Sequence, residues 1–130
     1  MLPKKFIQKP LSKAAIMLII FFSSCSKDKH PIIKIISPSN GQIFNAPGTI
    51  EISADLWDSD ALSSEYLLVT KVNSTNDTII NFQDHQFTGD ASTYHLVKSF
   101  SSEVSTQYKI VVSAYGHSTL SSDSIFIKTN

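Results

Sequence analysis

The chain has 130 residues, with 11 lysines, no arginine and 11 acids, so its formal charge is zero. That length holds one domain and excludes large folds such as a (β/α)8 barrel. A single cysteine excludes a disulfide-stapled scaffold and a Cys-rich zinc module.

The zero charge averages two unlike segments. Residues 1–13 hold Lys4, Lys5, Lys9 and Lys13 and no acid. Nine apolar residues follow, Ala14 to Phe22, and then Ser23, Ser24 and Cys25. A positive head, a short apolar run and small residues before a cut point are the three parts of a secretory signal peptide. A membrane span needs more chain: nine residues at ~1.5 Å each cover roughly 14 Å of a ~30 Å hydrocarbon core. The run Phe22-Ser23-Ser24-Cys25 resembles the lipobox of bacterial lipoproteins, with Phe22 where Leu is usual. The resemblance implies cleavage after residue 24, a diacylglyceryl group on the Cys25 sulfur and acylation of the new amino group. Each buried methylene contributes ~0.8 kcal/mol, so several acyl chains hold a protein on a bilayer where one binds only marginally. The expected mature protein is anchored in the bacterial cell envelope, at the outer membrane, and does not span it. Cleavage removes four of the 11 lysines and none of the acids, leaving a formal charge of −4. No basic stripe remains, which argues against nucleic acid as a partner.

Residues 25–31, from the cysteine through Ser26-Lys27-Asp28-Lys29-His30-Pro31, read as a lipidated Cys and a polar linker. Lys27-Asp28-Lys29 faintly resembles the charged tags of surface-exported lipoproteins. From residue 32 to 130 the pattern has period two. Ile32 to Ile36 is an apolar strand, and Ser37-Pro38-Ser39-Asn40-Gly41 is a turn, with Pro presetting φ and Asn-Gly accepting a positive one. Thr49 to Leu56 alternates, with Ile50, Ile52, Ala54 and Leu56 on one face. Further strands are expected at Tyr66 to Val72, Thr78 to Phe82, Tyr94 to Phe100, Tyr108 to Ala114 and Ser124 to Lys128. No helical stripe intervenes. About seven short strands with turns between them predict an all-β fold, an antiparallel immunoglobulin-like sandwich. Tyr108 opens its strand after a polar turn, the place of the tyrosine corner in such folds. Ile110 stands where disulfide-bearing versions carry Cys, so Ile52, Ile110 and Val112 are expected to join the sheets by packing alone.

Three stretches, Ile35 to Gly41, Ile50 to Asp55 with Asp58, and Tyr108 to Ala114, together resemble bacterial immunoglobulin-like domains found behind lipoprotein anchors. Cadherin-like and fibronectin-like modules share these motifs. The resemblance implies adhesion, spacing or binding at the cell surface. Tyr115-Gly116-His117 stands where members often carry Asp and Gly-Asn.

Candidate chemistry is sparse. Asp55, Asp58 and Asp60 cluster at a strand end, where carboxylates can ligate calcium; a solvated turn is the simpler reading. His85, His95 and His117 would hold zinc only if they converged, and their spacing matches no motif. Trp57 falls out of phase with its apolar strand and is expected to point outward. With Tyr94 and Tyr115 it would form a stacking platform for a sugar, with His117 following Tyr115 in sequence; packing at the end of the sandwich is the simpler reading. Asp77-Thr78-Ile79 and Asp123-Ser124-Ile125 resemble short bacterial O-glycosylation signals. No Gly-x-Ser-x-Gly or His-Glu-x-x-His motif is present, so no enzyme is expected and no cofactor is required. The expected role is a non-catalytic binding or structural module whose partner is a protein or glycan at the cell surface.

Overall fold

A computed structural model describes residues 29–73, 77–83, 92–117 and 119–130 in full and residues 84 and 85 by backbone alone. Cys25 and the segment before it lie outside the described residues. Eight strands form: β1 (Ile32–Ser37), β2 (Ile43–Phe44), β3 (Gly48–Trp57), β4 (Ser64–Lys71), β5 (Thr78–His85), β6 (Thr93–Ser102), β7 (Gln107–Tyr115) and β8 (Leu120–Thr129). They make a three-stranded sheet, β1-β3-β6, and a five-stranded sheet, β2-β8-β7-β4-β5. All pairings are antiparallel except β2 with β8. Seven strands match those expected; β2 is the addition. It is two residues long, too short to carry any periodicity.

Alternation drives the assembly. Ile50, Ile52, Ala54 and Leu56 face inward from β3, and Leu67 and Val69 from β4. Tyr108, Ile110, Val112 and Ala114 do so from β7, and Ile125 and Ile127 from β8. Full burial of an aliphatic side chain of this size contributes roughly 1.5–3 kcal/mol, so aliphatic packing joins the sheets, with Ile110 at its centre.

The chain passes from one sheet to the other at Asn40-Gly41. Gly41 adopts φ +79°, a backbone state open to glycine. Its N–H donates to the Phe126 carbonyl, and the Asn40 side chain accepts from the Phe126 N–H at 2.9 Å. These two bonds lay β2 along β8. At the open edge between sheets, Lys98 of β6 stands opposite Ile52, in the inward phase. Its ammonium lies 3.9 Å from the centre of the Phe82 ring on β5. A cation turned inward at an edge strand covers the seam and discourages pairing with another chain.

Tyr108 is fully buried, and its hydroxyl accepts from the Glu103 N–H at 2.8 Å. This bond back to the backbone five residues upstream is a tyrosine corner. Phenylalanine at this position fills the same space but strands the Glu103 N–H. Tyr108→Phe is expected to lower stability by about 1–3 kcal/mol, read as a lower urea midpoint with an unchanged m-value.

Near the corner, Lys71 contacts Glu103 at 2.9 Å and Asp77 at 3.1 Å. Hydrogen bonds to Glu103 and then Asp77 hold its ammonium above the ordinary value of 10.5. A raised folded-state value stabilises the fold below the ordinary value, and the gain vanishes as pH climbs through the folded one. Between neutrality and a pH well above 10.5, the native chain should therefore lose more stability than Lys71→Met, as read from urea midpoints.

Candidate functional site

The candidate residues collect at one pole of the sandwich. There β1 and β6 begin and β3 ends in one sheet, while β4 and β8 begin and β7 ends in the other. Residues 58–63 between β3 and β4, and Gly116, His117 and Thr119 between β7 and β8, lie at the pole. The Ser63 hydroxyl bonds the carbonyls of Tyr115 and Gly116, and the Ser63 N–H donates to the Tyr115 carbonyl, so the connections are fastened together.

The three aspartates part company here. Asp55 points out from β3 and meets His95 of β6, Oδ1 to Nδ1 2.6 Å. Asp60 is exposed and pairs with Lys29 at 3.7 Å. Asp58 is only 1% exposed. A solvated turn is therefore wrong for Asp58, although Asp60 fits it. The reason is phase: Trp57 points out, so the next residue points in. Asp58 Oδ1 accepts from the Asp60 N–H at 2.8 Å, while Oδ2 finds no hydrogen-bond partner among the described residues. No group of three metal-ligating side chains converges among the described residues. His95 lies on an outer sheet face and His117 in the β7–β8 connection; the His85 side chain lies outside the described residues.

The aromatic platform is divided as well. Trp57 is 45% exposed on the outer face of the three-stranded sheet, beside Thr93 in register. Tyr115 is 39% exposed on the outer face of the five-stranded sheet, its ring 5.8 Å from that of Tyr66. Tyr94 is opposite Leu56, in the inward phase. Trp57 and Tyr115 thus look away from each other. Each has a shallow depression beside it. One, of about 380 Å³, is bounded by Trp57, Asp55, Thr93 and His95. The other, of about 370 Å³, is bounded by Tyr66, Leu68, Val111, Tyr115 and Leu120.

Sequence reading overlooked Glu65, which is fully buried at the start of β4 opposite Ala114. The signal was present: Glu65 shares the phase of Leu67 and Val69. It also overlooked how the incoming chain binds the pole. The Thr119 hydroxyl donates to the Lys29 carbonyl at 3.0 Å, and Pro31 is buried against Gly116. Asp77-Thr78-Ile79 opens β5, with Asp77 engaged by Lys71; Asp123 to Ile125 lies within β8, where Ile125 is buried.

Strand order and tyrosine corner together define the class, an immunoglobulin-like β-sandwich. No protein-family model matches the chain, and no curated protein matches it. Among solved structures, it is similar to an engineered protein, Northeast Structural Genomics Consortium Target OR128, at 11% identity and TM-score 0.55 over 77% of this chain and 20% of that one. That likeness shows the fold alone. Fibronectin(III)-like modules of Clostridium thermocellum CbhA align at 23% identity and TM-score 0.45, over 78% of this chain and 48% of theirs. A β-glucosidase from Listeria innocua in complex with glucose aligns at 5% identity and TM-score 0.48, over 77% of this chain and 16% of that one. Overlap this loose supports no argument about function. The chain spans less than half the length of each of these matches.

The pole leaves no room at Gly116. A Cβ there would overlap Asp58 Oδ2 and sit 3.1 Å from Pro31 Cγ. Gly116→Ala is expected to cost about 1–3 kcal/mol in urea unfolding, because buried backbone and carboxylate must shift together.

Proposed function

We propose that this protein is a lipid-anchored component of the bacterial cell envelope whose β-sandwich is a non-catalytic binding or structural module. The observation that carries the reading is Cys25, the sole cysteine, directly behind the apolar run from Ala14 to Phe22. Its position in Phe22-Ser23-Ser24-Cys25 supports acylation of its sulfur and removal of residues 1–24. The first strand at Ile32 supports a folded body that begins immediately after a short tether. Among the described residues no helix is long and apolar enough to cross a membrane. The partner is a protein or a glycan at the cell surface, and the outer membrane is the proposed site.

The glycan alternative has one observation in its favour, the open face of Trp57 beside the paired Asp55 and His95. Calcium is not proposed, because the carboxylates diverge.

Fractionation tests the anchor. The native protein should sediment with membranes and resist a high-salt wash. Cys25→Ala should leave it unacylated, with intact mass lacking any diacylglyceryl addition. A native protein whose purified mass shows a free thiol and a retained leader would contradict the reading.

A further inference from the structure

The chain's approach to the fold is itself structured. Lys29, His30 and Pro31 lie across the pole rather than trailing from it. The Lys29 carbonyl takes a hydrogen bond from Thr119, its ammonium pairs with Asp60, and Pro31 is buried against Gly116 beside Asp58. Both connections of the pole therefore grip the incoming chain. Only four residue steps separate Cys25 from Lys29, a reach of at most ~14 Å. The headgroup layer on one side of a bilayer is itself roughly 5–8 Å thick. The far end of ten-residue β3 lies ~30 Å from the pole, beyond that reach.

The exposed apolar side chains of this pole fit such a location. Ile32 and Trp57 face each other across β1 and β3, both exposed. Tyr115 and Leu120 do the same across β7 and β8. The four occupy the last register positions of both sheets, so apolar and aromatic groups flank the pole on its two outer faces. Trp and Tyr favour the membrane–water interface, where a ring meets hydrocarbon and its polar edge meets water. Of the described acids near the rim, Asp60 is paired with Lys29, Asp55 meets His95, and Asp58 is buried.

We infer that this pole is the membrane-facing surface of the protein, with Trp57, Ile32, Tyr115 and Leu120 seated in the headgroup layer of the bilayer that holds the acyl chains. The inference rests on the proposed anchoring for its setting. It assigns the opposite pole, with the tyrosine corner, and the middle of the outer faces to any soluble partner. It also takes Trp57 away from glycan binding.

Trp57 is the only tryptophan and Cys25 the only cysteine, so the native chain carries its own reporter and its own attachment point. The purified protein is reconstituted in phosphatidylcholine vesicles, and mass spectrometry of the same sample reads the state of Cys25. Where the thiol is free, the proposed anchoring fails, and Cys25 is coupled to a maleimide-bearing lipid so that orientation is still measured. The expected result is Trp57 emission shifted to the blue, quenched by lipids brominated near the headgroup and shielded from aqueous acrylamide. A second reporter, Val97→Trp in a Trp57→Phe background, sits on the same exposed face but further from the pole, opposite Ser53. It should stay open to acrylamide and untouched by brominated lipid. Trp57 that remains open to acrylamide on the vesicle overturns the inference, whether water or a soluble partner then occupies the pole. Equal quenching of both reporters also overturns it, because the domain would then lie on its side.

Discussion

The apolar seam between a three-stranded and a five-stranded sheet is the interaction on which the other features depend. Ile50, Ile52, Ala54 and Leu56 from one side meet Leu67, Val69, Ile110 and Val112 from the other, with no disulfide to assist them. In a strand, a slip of one residue turns every side chain to the opposite face. The seam therefore fixes more than stability. By holding Leu56 inside it forces Trp57 out and Asp58 in, and by holding Ala114 inside it forces Tyr115 out. The exposed aromatics and the buried carboxylate are consequences of one phase.

That phase also explains how the pole is built. Asp58 enters the seam's end with one oxygen satisfied by the Asp60 N–H and the other facing Gly116. A buried carboxylate demands a close surround, and here it is assembled from three separate stretches of chain: residues 58–60, Gly116 and Pro31. The incoming chain is thus part of the pole's packing. From Lys29 onward the chain is fastened to the pole by the Thr119 hydroxyl and by the packing of Pro31.

Much of the fold was legible because alternation is local. The runs Thr49 to Leu56 and Tyr108 to Ala114 read directly as inner and outer residues, and Tyr108 after a polar turn pointed to its corner bond. β2 was not legible, since two residues have no period. Asp58 was misread because turn chemistry in Asp58-Ser59-Asp60 outweighed the alternation continuing past Leu56. Glu65 was passed over although it keeps step with Leu67. The separation of Trp57 from Tyr115 was beyond any local pattern: it depends on which strands share a sheet, and so on pairings such as Asp55 with His95, 40 residues apart. Asp55, Asp58 and Asp60 were parted for the same reason, as neighbours in sequence were sent to three different surroundings.

Residue-resolved hydrogen exchange tests the seam and its phase most directly. The account predicts the slowest amides in β3 and β7, which have a paired strand on either side and the most deeply buried inner faces. Edge strands β1 and β5 should open sooner. Protection concentrated in β1 and β5, or rapid exchange throughout β3 and β7, would contradict the strand order and every inference about which side chains face outward.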